Sequence, residues 1–222
     1  MKIVLATQNR DKIKEIKAIM APLDVEFLHP DGMPDVVEDG STLEENALKK
    51  AREIRDFTGL CALADDTGLE VDALDGAPGV YSSRYAGEHV TYDDNNTKLL
   101  QDLDGVPKEK RTARFRCVMA LALVNNEREL LYDRMKEHGG LSDTATDAVT
   151  TEGILEGRIA QSRRGAEGFG FDPVFEVPQL GKTLAEMGLE AKNEISHRYR
   201  ALVEMRELLL RYGLAAERGS KG

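Results

Sequence analysis

Residues 61–74 read CALADDTGLEVDAL, and the fold class turns on them. CALAD is an apolar run ending in carboxylates and reads as a buried strand. LEVDAL alternates apolar and acidic residues and reads as a second strand, with Asp66-Thr67-Gly68 as the turn chemistry between them. Side chains of adjacent strand residues point to opposite faces. One of Asp65 and Asp66 can therefore face a cleft while the other is tied to backbone.

Outward from this stretch, strands and helices interleave. KIVLA (2–6) reads as a short buried strand, and residues 11–22 place Ile13, Ile16, Ile19 and Met20 at helical spacing behind a cap at Asn9 or Asp11. VEFL (25–28) is a further strand, followed by the loop HPDGMPDVVEDG (29–40). Ser41 and Glu44 form a capping box. It opens a helix with the apolar face Leu43, Ala47, Ala51, Ile54 and Phe57, which stops at Gly59. GAPGVYSSRYAG (76–87) is a loop, and residues 91–103 are helical. FRCVMALALV (115–124) is a long buried strand that RELLYD (128–133) can join across a hairpin turn. EGILEGRIA (152–160) and PVFEV (173–177) are strands, residues 135–148 a polar exposed loop, and residues 194–212 a last helix. The chain is thus α/β, with two lobes around a mixed sheet. One domain covers residues 1–214, and a flexible tail covers 215–222.

The chain has 222 residues and a formal charge of −10. That charge opposes nonspecific binding to nucleic acid or an anionic membrane. No apolar run approaches the roughly 20 residues of a membrane span, and the N-terminus lacks the pattern of a signal peptide. Cys61 and Cys117, each inside an apolar run, read as buried thiols of a cytoplasmic protein. The charge is unevenly spread. Residues 24–46 hold eight carboxylates and residues 56–83 six, with no Lys or Arg in either stretch. Basic residues gather elsewhere, so the acidic segments suit a divalent cation and the basic ones phosphates; solvated helix faces would give the same pattern.

Four clusters carry chemistry. Thr7-Gln8-Asn9-Arg10-Asp11-Lys12 takes a strand into a helix N-terminus, where free N–H groups and Lys12 favour an anion. The same residues also suit a plain capped helix, and GxxxxGK[ST] is absent. Asp66 at its strand end, with Glu38 from the first acidic loop, offers oxygen ligands for Mg²⁺ or a means of orienting water. In Gly168-Phe169-Gly170-Phe171-Asp172-Pro173 the glycines permit close backbone approach, Phe169 can stack on a base, and Asp172 can accept from the base edge. A glycine turn with both phenylalanines in the core is the alternative. Lys192, Ser196, His197 and Arg198 bring cations and a hydroxyl to a helix start. The remaining histidines lack metal spacing, which disfavours Zn²⁺, and the absence of GxSxG disfavours covalent catalysis.

Taken together, T-x-N-x-x-K (7–12), A-D-D-T-G-L-E-V-D-A-L-x-G-A-P-G-V-Y-S-S-R-Y-A-G (64–87), G-F-G-F-D-P-V-F (168–175) and K-x-x-x-S-H-R (192–198) closely resemble the inosine/xanthosine triphosphate pyrophosphatase family. The resemblance implies an elongated two-lobed mixed-sheet fold with helices packed around it and the active site in the inter-lobe cleft. It also implies a Mg²⁺-requiring homodimer that hydrolyses ITP, dITP and XTP to monophosphate and pyrophosphate. Thr7 to Lys12 would cradle the phosphates, Asp66 would be the catalytic acid and a metal ligand with Glu38, and Thr67 would contact substrate. Phe169, Gly170, Phe171, Asp172, Lys192, Ser196, His197 and Arg198 would surround the base.

The expected reaction is attack of water on the α-phosphorus, with Lys12 offsetting charge on the leaving pyrophosphate. Gln8 stands where the family usually has glycine, Thr67 where serine is common, and residues 135–148 look like an extension. A noncatalytic nucleotide sensor and a pyrophosphatase for modified pyrimidine nucleotides are the alternatives.

Overall fold

The structure, a computed structural model, describes residues 1–137 and 147–219. Its elements in chain order are β1 (Lys2–Leu5), α1 (Arg10–Ile19), β2 (Glu26–Leu28), α2 (Leu43–Thr58), β3 (Cys61–Val71), β4 (Pro78–Gly79), α3 (Tyr92–Asp102), β5 (Thr112–Ala122), α4 (Asn125–Glu137), β6 (Ala148–Ile159), β7 (Phe175–Val177), β8 (Lys182–Thr183), α5 (Leu189–Ile195) and α6 (His197–Arg211). The sheet is mixed. β1 runs parallel to β2 and β3, while β3–β4, β6–β7 and β7–β8 are antiparallel.

The chain divides into two compact units. The first comprises Met1–Asp66, Val118–Glu152 and Arg200–Gly222, and the second Thr67–Cys117 and Gly153–Tyr199. In the first unit the strand order is β2-β1-β3-β5-β6. Its core joins Ile3, Val4 and Leu5 of β1 to Ile16 of α1, Ala47 and Ala51 of α2, and Leu202, Met205 and Leu209 of α6. Burying each of the Ile, Val, Leu and Met side chains among them contributes about 1.5–3 kcal/mol. In the second unit the order is β3-β5-β6-β7-β8, with β4 on β3. Its core gathers Leu69, Leu99, Phe115, Ile159, Phe171, Phe175 and Leu184. The Phe115 and Phe175 rings lie 4.6 Å apart in a tilted pair.

Several elements follow from local chemistry. Asn9 caps α1, its Oδ1 accepting from the backbone N–H groups of Asp11 at 2.9 Å and Lys12 at 3.3 Å. Thr42 caps α2, one residue later than the Ser41 box predicts. Glu45 rather than Glu44 reaches back, accepting from the Ser41 N–H and hydroxyl, both at 2.7 Å. Gly59 closes α2 at φ +68°, as its position predicts.

Four expectations are corrected. CALAD and LEV are one strand, β3, without a turn at Asp66-Thr67-Gly68, while Asp72–Leu74 form a short 3₁₀ turn and not strand; pairing of β3 with β1, β4 and β5 outweighs local turn preference. Residues 128–133 are helical, within α4, not a hairpin strand: the run NNERELLYDRMKE is rich in helix formers and buries Leu131. The single last helix is two, broken where Ser196 is extended at ψ 152° and its Oγ accepts from the Tyr199 N–H at 3.0 Å. The expected tail is tied down at residues 216–218. There Asp24 N–H donates to the Ala216 carbonyl at 2.7 Å and Arg218 N–H to the Pro22 carbonyl at 2.8 Å. Of the expected loop at 135–148, residues 138–146 lie outside the described residues.

Candidate active site

In the first unit, the end of β1, the start of α1, the loop before α2 and β3 enclose a cavity of about 270 Å³. Thr7, Gln8, Lys12, Glu38, Lys50 and Asp65 supply its polar lining, and Met33, Pro34 and Val36 part of its apolar wall. Thr7 Oγ1 accepts from the Asn9 N–H at 3.2 Å, and His29 Nε2 donates to the Thr7 carbonyl at 2.7 Å, fixing the turn out of β1. Lys12 Nζ lies 2.8 Å from Asp65 Oδ2.

Lys50 from α2 is the centre of the acidic side. Its Nζ lies 2.6 Å from Glu38 Oε1 and 3.3 Å from Asp66 Oδ1, and Asn46 Nδ2 donates to Asp66 Oδ2 at 3.1 Å. Burial pushes the Lys50 pKa down, but the carboxylates of Asp66, Asp65 and Glu38 outweigh it and hold the ammonium above the usual lysine range. Burial raises the Asp66 pKa above the ordinary carboxylate range. Lys50 opposes that rise, and Glu38 adds to it.

Among the described residues no group of three His, Cys, Asp or Glu is arranged to hold a metal. Glu38 and Asp66 nevertheless converge on one cation, the Lys50 ammonium. Two carboxylates with no sulfur or nitrogen ligand suit Mg²⁺, which takes one or two carboxylates and completes its shell with water and phosphate oxygens. The residues present fit that ion.

In the second unit, Gly168-Phe169-Gly170-Phe171-Asp172 forms a tight turn. Asp172 Oδ2 accepts from the Phe169 N–H at 2.9 Å and from Lys192 Nζ at 2.7 Å, and both charged side chains are 4% exposed. Gly168 has φ +79°, and a Cβ there would stand 2.1 Å from Asp172 Oδ2, so only glycine fits. The Lys192 ammonium lies 4.5 Å and the Arg198 guanidinium 5.8 Å from the Phe169 ring centroid. Arg198 also donates to Thr67 Oγ1 at 3.4 Å, and the His197 ring stacks on Phe115 at 4.7 Å.

The structure therefore sorts the residues singled out by sequence. Thr7, Gln8, Lys12 and Glu38 meet at the first cavity. Asn9 spends its side-chain oxygen on the helix cap, and Arg10 and Asp11 are exposed and do not line the cavity. Asp65 lines it, whereas Asp66 is reached through Lys50. Asp65 has an ammonium partner in Lys12. Phe169, Asp172, Lys192, Arg198 and Thr67 are joined by direct contacts in the second unit, with Ser196 capping α6. Phe171, expected beside the base, is 5% exposed and belongs to the core, where the strand after the turn drives it. Sequence reading missed Lys50 and Asn46. Their signal was position: both fall on the apolar face of α2, at i and i+4 among Leu43, Ala47, Ala51 and Ile54.

Comparison with known proteins finds likeness over most of the chain. The model of the Ham1 family matches residues 3–208. A dITP/XTP pyrophosphatase of Geobacter sulfurreducens is 47% identical over 211 residues, covering 94% of this chain and 96% of that protein. One from Desulforamulus reducens is 46% identical over 214 residues, covering 95% of this chain and 96% of that protein. Among solved structures, a HAM1 protein from Coxiella burnetii superposes with a TM-score of 0.81 at 39% identity, covering 94% of this chain and 98% of that one.

Proposed function

The chain belongs to the Ham1 family, and from that premise we propose that it hydrolyses the noncanonical purine nucleoside triphosphates dITP, XTP and ITP to monophosphate and pyrophosphate. The observation that carries this reading is the Glu38–Lys50–Asp66 centre beside a lysine-bearing cavity, in a chain 47% identical to a dITP/XTP pyrophosphatase.

Residues of the first unit act on the phosphates. Thr7, Gln8 and Lys12 meet phosphate oxygens, and the Lys12 ammonium offsets charge that develops on the pyrophosphate leaving group. Glu38 and Asp66 are the carboxylates that would hold Mg²⁺, which neutralises phosphate charge when bound. Asp66 orients and deprotonates the water that attacks the α-phosphorus. Its place supports that role, since the Asn46 amide holds one carboxylate oxygen at 3.1 Å and the Lys50 ammonium the other at 3.3 Å, which fixes its orientation.

Residues of the second unit act on the base. Phe169 offers a half-buried ring, and Lys192, His197 and Arg198 are donors for a 6-keto oxygen. A 6-amino group in the same place would set donor against donor, and each lost partner costs about 1–3 kcal/mol. The same reading carries a homodimer working in the cytoplasm, which light scattering of the purified protein checks for the assembly.

The test is a substrate panel with Mg²⁺. The expected result is turnover of dITP, XTP and ITP at least tenfold above dATP and dCTP. Equal rates on dATP would remove the selectivity, turnover confined to modified pyrimidine nucleotides would move the substrate class, and binding without turnover would make the protein a sensor.

A further inference from the structure

Asn96 is a buried polar residue on α3, 3% exposed and on the side of the helix that carries Leu99 into the core of the second unit. Its Nδ2 donates to two backbone carbonyls, those of Tyr92 and Gly170, each at 2.8 Å. Its Oδ1 is buried and has no hydrogen-bond partner among the described residues. The orientation of the amide is fixed by these neighbours, because the reverse would set its oxygen against two carbonyl oxygens at hydrogen-bond distance.

A residue kept there for packing alone would not be an amide. Leucine is close in size and leaves no orphaned oxygen, whose burial costs about 1–3 kcal/mol. What asparagine alone supplies is the double donor, and one of its two acceptors lies in the turn that bears Phe169. Gly170 has φ +63° and joins Phe169, half-buried beside Lys192 and Arg198, to Phe171 in the core. Tyr92, one helical turn before Asn96, places its ring 6.2 Å from that of Phe169. A single turn of α3 therefore braces both the glycine carbonyl and the aromatic ring next to it.

We propose that Asn96 is a positioning residue for base recognition: by holding the Gly170 carbonyl it sets the Phe169 ring at the height and tilt that the substrate base meets. The proposal rests on the reading of Phe169 as a base platform. It predicts an effect that depends on the base and not on the phosphates.

The experiment compares wild type with Asn96→Leu and Asn96→Ser in steady-state hydrolysis of dITP. Inorganic tripolyphosphate, which has the phosphates and no base, serves as the competitive inhibitor. Loss of one neutral hydrogen bond predicts a dITP KM raised about three- to tenfold. The kcat stays within twofold of wild type, and the inhibition constant of tripolyphosphate is unchanged. The serine variant, one bond too short to reach the Gly170 carbonyl, is expected to show the same rise in KM and covers the case in which leucine does not fold. An unchanged dITP KM would overturn the proposal. So would a rise of KM and inhibition constant together, which marks general disruption. If the wild type itself fails to turn over dITP, the functional reading has failed and this inference falls with it; active wild type with unaffected variants sinks the positioning role alone.

Discussion

Lys50 Nζ stands 2.6 Å from Glu38 Oε1, so the carboxylate from the loop before α2 is held by a cation from α2 itself. The same ammonium reaches Asp66 at 3.3 Å. Without a cation at this point two buried or half-buried carboxylates would face one another. Lys50→Met is therefore expected to lower the melting temperature in EDTA and to make the variant gain more from added Mg²⁺ than wild type gains. Thermal unfolding with and without the metal checks this. An identical Mg²⁺ response in both proteins would show that lysine and metal do not share these carboxylates.

Asp66→Asn keeps the shape and the contact with Asn46 but removes the negative charge and the base. Positioned general bases contribute about 10²–10⁴ in rate. The expected outcome is a kcat on dITP at least 100-fold below wild type with the far-ultraviolet circular dichroism spectrum unchanged. Retention of a tenth or more of the activity would assign the base elsewhere.

The Lys192–Asp172 pair is almost fully withdrawn from water, each side chain 4% exposed. Removing one partner from a buried pair costs about 3–5 kcal/mol, while replacing both with neutral groups recovers much of that. Urea unfolding should show Lys192→Met strongly destabilised and Lys192→Met/Asp172→Asn nearer to wild type. The double variant being the less stable of the two would contradict the account.

Asp147 meets Arg52 at 2.7 Å and Arg55 at 3.0 Å. The hydrogen bond from Arg52, joined by that from Arg55, lowers its pKa to about 2 against the opposing effect of burial. A carboxyl depressed in the folded state contributes stability that is present above about pH 4 and is lost as pH falls through about 2. Asp147→Asn should lower the melting temperature by about 2–4 °C at pH 7, for a loss near 1 kcal/mol. The gap from wild type should narrow as pH falls from 4 towards 2; a gap independent of pH would show that the charge is not its source.

Much of this was legible from residue order. Asn9 and Gly59 stand where short-range hydrogen bonding puts them. The failures have long-range causes. Asp66-Thr67-Gly68 has turn chemistry, yet its neighbours in the sheet make it strand, and no local pattern records those neighbours. Residues 128–133 follow the long strand β5 closely enough for a hairpin, but β5 is already flanked by β3 and β6, and the helix formers prevail in α4. At the candidate site, residue types that announce chemistry, such as Asp66, Lys12 and Lys192, stand out in the sequence. Lys50, Asn46 and Asn96 do not, because a polar residue on a helix's apolar face shows its meaning only once its partner, distant in sequence, is in place.

Hydrolysis of dITP in ¹⁸O-labelled water, with Mg²⁺ and the products read by mass spectrometry, tests the central claim most directly. Attack at the α-phosphorus predicts labelled dIMP and unlabelled pyrophosphate in equal amounts, with no orthophosphate. Orthophosphate with dIDP, or label carried by the pyrophosphate, would contradict it.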